Sequence, residues 1–329
     1  MPNSIDGLLV QWGDRLFYPS NRMKASRTPV LTEAAVRQRA QVLRQRIRAM
    51  VASRAPQAMV KVTGGGRGMG AIAAHLRYIA KAGRLPIEDD RGAVREGKDA
   101  LRAITDQWRF GGTRIPEVSE RREAFNIMLS MPAGTDARAL QQAAREFAKA
   151  ELANHRYVMV LHTHQANPHV HISVRAEGRD GSRLNPRKED LRRWRETFAE
   201  RLRGWGIEAE ASSQAVRGSR HRDERVWSRK RRQGRGSAAG DKQKPPRMSP
   251  SHRRAGEAWV RLAQALAASP EPSDHDLSSA ILRYVREMPV VRAAMARSTA
   301  QRELPGMTRS LGRPSVTPTP TRTGPEMER

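Results

Sequence analysis

Four of the chain's nine histidines fall within the ten residues His162–His171, in the stretch HTHQANPHVHISV. His169 and His171 stand two apart in an apolar run that reads as a strand, so both side chains leave the same face. His162 closes the preceding apolar run, RYVMVLH, and the short QANP turn can bring it back to the same point. The pattern is H-x6-H-x-H with Pro168 just before the pair, and it sets three imidazoles around one centre. Such a centre suits a divalent metal with positions left open for water or substrate. His164 alternates onto the face of His162. It reads as a supporting group rather than a fourth ligand, because a closed cage of four imidazoles would block catalysis. The chain has no cysteine, which excludes disulfides and thiolate metal sites.

Charge narrows the chemistry. Lys and Arg total 61 against 34 Asp and Glu, a formal net charge of +27. A field of that sign gathers polyanions, and nucleic acid is the usual one in a cell. Arginine dominates, and its planar fork suits phosphate oxygens. A metal centre on such a protein points to phosphodiester chemistry, with the metal as Lewis acid on a non-bridging oxygen. Other HxH chemistries fit less well. Histidine-triad nucleotide hydrolases need a histidine where Ser173 stands, two-histidine phosphoesterases need a second H-x-[ST] copy, and cupin or carbonic anhydrase sites leave the charge unexplained. The attacking group is water or a side chain. Of the four tyrosines, Tyr157 reads as strand core and Tyr284 as helix core, and Tyr18 lies near the N-terminus. Tyr78 sits in AAHLRYIAKAGRL, after a glycine-rich turn, where a packed aromatic and a nucleophile are both open readings.

Hydrophobic periodicity outlines the scaffold that must position these groups. AMVKVT reads as a strand, GGGRGMG as a turn, and AIAAHLRYIAKAG as a helix closed by Gly83. A polar stretch and a helix, ALRAITDQWRF, follow. AFNIMLSMP is a strand stopped by Pro132. TDARALQQAAREFAKAELAN is a helix with Ala139, Leu140, Ala143, Phe147 and Leu152 on its apolar face. The two histidine-bearing runs form a hairpin. PRKEDLRRWRETFAERLRGWG is a helix with Leu191, Trp194, Phe198 and Leu202 inward, and IEAEAS is a candidate last edge strand. This order describes an α+β sheet domain over about residues 56–212. The glycine-rich turn has two further readings. One is a loose G-x-G-x-x-A dinucleotide fingerprint, with its acid ambiguous among Glu88, Asp89 and Asp90. The other is a loop presenting backbone N–H groups to DNA phosphate.

Four blocks, in order over about residues 58–212, resemble the relaxase (mobilisation nuclease) family. They are KVTGGGRG…HLRYIAKAGRLPIEDDRG, FNIMLSMPAGTDARALQQAAREF, YVMVLHTHQANPHVHISV and DGSRLNPRKEDLRRWRETFAERLRGWGIEAEAS. Members are the HUH endonucleases of conjugative plasmids and T-DNA-type transfer systems, and the histidine block is the most specific part of the likeness. The resemblance implies an antiparallel sheet with HxH on a central strand and helices packed around it. It also implies nicking of one strand at an origin of transfer, on supercoiled or single-stranded DNA, through a 5′-phosphotyrosyl intermediate. Carried over residue by residue, Tyr78 matches the nucleophile and His162, His169 and His171 the ligands of Mg2+ or Mn2+. Ser130 matches a DNA contact near the nick. Where relatives commonly have H-x-D or H-x-E, this chain has His164, which takes the acid's role as proton acceptor or extra ligand unless an acid from elsewhere does. Arg67, Arg77 and Lys81 would add charge for DNA beside the glycine-rich turn, and Arg192 and Arg195 would offer a backbone-contacting helix face. Implied partners are relaxosome accessory proteins and the coupling protein of a type IV secretion channel.

Around the nuclease domain, residues 1–55 read as an irregular start followed by a basic helix capped by Thr32, serving as a packing appendage or a phosphate-tracking arm. Residues 213–254 read as a basic flexible linker, 255–300 as a small helical segment, and 301–329 as a disordered tail resembling relaxase secretion signals. No apolar run spans a bilayer and the N-terminus lacks a secretory pattern, so a soluble, intracellular protein without membrane insertion is expected; the resemblance implies the bacterial cytoplasm, with passage to a recipient cell attached to DNA. Two other functions compete with nicking: a non-catalytic DNA-binding accessory protein with a degenerate relaxase fold, and a metal-dependent phosphoesterase that uses water.

Overall fold

The computed structural model describes residues 4–18, 32–219 and 248–302. Most of the linker expected over 213–254 and nearly all of the tail expected over 301–329 lie outside them. The centre of the fold is a six-stranded sheet of β1 (Met59–Gly64), β2 (Ile87–Asp89), β3 (Val94–Arg95), β4 (Ala124–Ser130), β5 (His155–His162) and β6 (His169–Gly178). The order is β1-β4-β6-β5-β2-β3, and every neighbouring pair is antiparallel. The protein is therefore α+β, with the HxH on a strand inside the sheet.

Strand alternation divides β6 between two layers. Val170, Ile172 and Val174 face α5 (Ala137–Glu151) and α6 (Lys188–Gly204), packing with Phe147, Trp194 and Phe198. His169, His171, Ser173 and Arg175 point to the other face. There α3 (Met69–Ile79) and α4 (Lys98–Phe110) lay Ile72, Leu76, Ile104 and Trp108 over Val158 and Val160. Arg175 is buried on this side and donates to the carbonyls of Trp108, Gly111 and Thr113. It thereby fixes the end of α4 against the sheet. The helix α5 starts where Asp136 accepts from the amides of Arg138 and Ala139, the N-cap bond its sequence prepares.

Several elements differ from the sequence reading. The polar stretch after α3 contains the β2–β3 hairpin, closed by Asp89 accepting from the amides of Arg91 and Ala93. IEAEAS is not an edge strand; its Glu210 makes one parallel bridge to Gln57. The irregular N-terminus is a helix, α1 (Ile5–Phe17), capped by Ser4. The C-terminal piece comprises α7 (Pro250–Ala267), α8 (Pro272–Glu287) and α9 (Pro289–Arg302).

The helices of the two chain ends share one core. Leu9, Leu16 and Phe17 of α1 and Leu43, Ile47 and Met50 of α2 (Glu33–Val51) pack with Trp259, Leu262, Leu277 and Ile281. Two of the arginines of α2 are spent on this packing. Arg44 donates to Asp6 at 2.8 Å and to Asp274 at 2.9 Å. Arg46 reaches Glu210, the Tyr18 hydroxyl and the Ala211 carbonyl. This favours the packing role for the basic N-terminal helix over the phosphate-tracking one. Asp274 is 1% exposed. Its burial alone would raise the carboxyl pKa, but the bonds from Arg44 outweigh that and hold it below the ordinary value. Removing one member of such a pair strands the other charge. Asp274→Ala is therefore expected to cost about 3 kcal/mol in urea denaturation at neutral pH; a loss under about 1 kcal/mol would show the pair to be a solvated contact.

Candidate active site

The β5–β6 register puts His162 directly opposite His169, and on the other side Ser130 of β4 is opposite His169. Ring centroids are 4.6 Å apart for His162–His171, 4.9 Å for His169–His171 and 5.1 Å for His162–His169. All three rings are buried, and one nitrogen from each lies within 4.8 Å of the others. Backbone carbonyls orient two of the rings. His162 Nε2 donates to the Ile79 carbonyl at 2.6 Å, and His169 Nδ1 to the Asn167 carbonyl at 2.9 Å. A carbonyl only accepts, so these bonds fix the proton on those atoms and leave His162 Nδ1 and His169 Nε2 with lone pairs. His171 Nδ1 is buried without a partner among the described residues.

Burial lowers the proton affinity of His162 and His171, and the neighbouring histidines add to the effect; His171 is pushed down to about 3. These rings are thus held in the neutral form a metal requires. Imidazole donors that converge within a few ångströms, two with their proton fixed on the far nitrogen, fit a divalent ion with open positions.

The second component is α3. Its N-terminus follows Gly68, whose φ of +91° favours glycine and where a Cβ would collide with the Glu117 carbonyl. The amides of Met69 and Gly70 donate to the carbonyls of Pro116 and Glu117. The first two helical amides are therefore occupied by protein, which weighs against the phosphate-cradle and dinucleotide readings of the glycine-rich turn. The C-terminal end of α3 lies over the histidines, where Ile79 receives the His162 bond. Tyr78 is 68% exposed, and its ring centroid lies 6.5 Å from that of His171, nearly perpendicular to it. Tyr157 and Tyr284 are buried, and Tyr18 is covered by Arg39, Arg46 and Arg192.

His164 stands exposed at the rim, 4.9 Å from His162 and 6.5 Å from His169 between ring centroids. Lys81 is close enough to lower the proton affinity of both His162 and His164, after the larger effect of desolvation. Arg77 is exposed next to Tyr78. Ser130 is on the histidine face, its hydroxyl 3.5 Å from the Pro168 carbonyl. The other expected DNA contacts lie elsewhere. Arg67 is exposed at the far end of α3, about 16 Å away at 1.5 Å per residue. Arg192 and Arg195 belong to α6, on the opposite face of the sheet, half-buried rather than free. Arg192 lies over the Tyr18 ring at 5.9 Å, and Arg195 borders a groove with Lys61 and Ser212.

His75 was not anticipated. It lies one helical turn before Tyr78, its ring 6.3 Å from Tyr78 and 6.4 Å from His171. Its Nε2 is buried without a partner, and burial lowers its proton affinity. The i, i+3 spacing from Tyr78 was the available signal, since residues so spaced share a helix face.

Residues 88–207 match the family described as relaxase, MobA/VirD2-like, nuclease domain. The match includes all four histidines of the hairpin and begins after Tyr78 and His75. No curated protein and no solved structure matches the chain. Among the described residues, no helix is long and apolar enough to cross a membrane.

The histidine cluster makes stability depend on pH. The unfolded chain takes up protons below about pH 6.5, whereas folded His171 resists them down to about 3. More protons on the unfolded side means stability that is complete above about 6.5 and lost as the pH falls. In urea denaturation of metal-free protein, His171→Gln is expected to flatten this loss, by at most about 1.4 kcal/mol per pH unit. An unchanged slope would show that His171 is readily protonated in the fold.

Proposed function

We propose that this chain, which carries a MobA/VirD2-like relaxase nuclease domain over residues 88–207, nicks one DNA strand at an origin of transfer and retains the 5′ end on Tyr78. The observation that carries this reading is an exposed tyrosine set against a buried cluster of three histidines. The net charge of +27 supplies the field that gathers the substrate.

In this reading the Tyr78 oxygen attacks the scissile phosphorus, forming the tyrosyl–phosphate bond as the bond to the 3′ oxygen breaks. His164, at the rim, accepts the phenol proton and returns one to the departing 3′ oxygen, in place of the carboxylate common in relatives. The reverse sequence rejoins the strand. A divalent ion, Mg2+ or Mn2+, held by His162, His169 and His171 would supply Lewis-acid polarisation of a non-bridging phosphate oxygen. Arg77 and Lys81 hold flanking phosphates, Ser130 contacts the nucleotide near the nick, and Arg67 meets the strand farther along. The reaction takes place in the bacterial cytoplasm, with relaxosome accessory proteins at the origin and a type IV coupling protein receiving the adduct through residues 301–329.

Incubating the protein with Mn2+ and an oligonucleotide or supercoiled plasmid bearing its own transfer origin is expected to give a covalent protein–DNA adduct on denaturing gels. Tyr78→Phe is expected to abolish the adduct, a loss of at least about 10³-fold. Cleavage without an adduct would instead support a water-using phosphoesterase, and binding without cleavage an accessory protein. Deleting residues 303–329 is expected to reduce transfer between cells while leaving nicking in vitro unchanged; undiminished transfer would remove the tail from the hand-off.

A further inference from the structure

The three cluster histidines are not equally supported. His162 and His169 each donate the proton of the outward-turned nitrogen to a backbone carbonyl. His171 has no such partner, and its Nδ1 is sealed from solvent. Histidines that ligate metals almost always donate the second nitrogen to a carboxylate, carbonyl or water, which fixes the tautomer and the ring orientation. A second sealed nitrogen without a partner, His75 Nε2, lies on the helix directly above. The two rings are 6.4 Å apart between centroids and nearly perpendicular, at 79°. No direct hydrogen bond joins them, which leaves a bridging water as the way for the two rings to satisfy each other.

We infer that His75 is the positioning residue of His171: its Nε2 lone pair accepts, through one bound water, the proton of His171 Nδ1. This bond would commit His171 to presenting Nε2, the nitrogen on the open side, to a divalent cation. It satisfies two buried polar atoms at once, each of which otherwise carries an unmet desolvation cost. Because His75 shares its helix face with Tyr78, one element then both carries the nucleophile and orients a ligand. The inference rests on the metal-centre part of the proposed function, not on the nicking reaction.

Metal binding without DNA provides the test. Mn2+ affinity is read from the free-ion electron paramagnetic resonance signal, and site geometry from the visible absorption of the Co2+-loaded protein. His75→Phe keeps a ring of similar shape but has no acceptor. It is expected to weaken Mn2+ binding by about tenfold or more and to shift the Co2+ spectrum. His75→Gln restores an acceptor and is expected to stay within about threefold of wild type. Thermal unfolding of the metal-free variants is expected to match wild type, which separates a lost orientation from a damaged fold. Wild-type affinity and spectrum in His75→Phe would overturn the role of His75 alone. Failure of the wild-type protein to bind Mn2+ or Co2+ would overturn the metal centre and this inference with it. A normal His75 effect in a protein that forms no DNA adduct would leave the inference standing and remove the nicking reaction.

Discussion

The site depends first on the register of one hairpin. With His162 paired to His169 and His171 two residues on, three imidazoles emerge on one face of the sheet. A slip of one residue in β6 would turn His169 and His171 away from His162, into the layer of Phe147, Trp194 and Phe198, and bring Val170, Ile172 and Val174 onto the histidine face. That exchange would set polar rings in an apolar layer and branched aliphatic side chains on the histidine face. The core on the α5–α6 side therefore enforces the geometry on the α3–α4 side, and the paired runs of alternation in β5 and β6 specify a site and a fold together.

A second constraint ties the helix of Tyr78 to this cluster. The 2.6 Å bond from His162 to the Ile79 carbonyl holds the last turn of α3 directly above the histidines. The chain then passes through three successive left-handed residues, Lys81, Ala82 and Gly83, with φ of 48°, 59° and 87°. Two of the three carry side chains, so the turn holds local strain that surrounding contacts must sustain. Gly83 meets the requirement cheaply and leaves no room for a Cβ against Gly97. The abrupt exit keeps Lys81 beside the cluster instead of continuing the helix away from it.

Much of this was legible where one segment contains its own answer. The alternation around His169 and His171, the spacing back to His162 and the apolar stripes of α5 and α6 are local patterns, and each survives in the structure. The misreadings share a different cause: the deciding partner was distant or covered the surface in question. The stripe of α1 gains meaning only against Trp259, and Arg44 only against Asp274. Arg192 and Arg195 lie off the apolar stripe of α6, yet Tyr18 sits under Arg192 and Arg195 is half-buried beside Lys61 and Ser212. The β2–β3 hairpin hid in a polar stretch because its signal is the turn chemistry of Asp89 rather than an apolar alternation. His75 gains its place only from the packing of α3 over His171.

A histidine rather than an acid at position 164 shapes the electrostatics of the pocket. The cluster consists of imidazoles alone, so it offers no negative charge to offset a cation bound there. Lys81 adds further positive potential, as its effect on His162 and His164 shows. A carboxylate at position 164 would spend part of that potential internally. A neutral imidazole leaves it directed outward, toward the surface on which Tyr78 is exposed. The cost is a weaker hold on the ion, because a carboxylate contributes charge as well as a ligand atom. That makes the orientation of each imidazole count for more than it would in a charged cage. Two of the three obtain it from backbone carbonyls, which substitution cannot remove; the orientation of His171 must come from a side chain or from water.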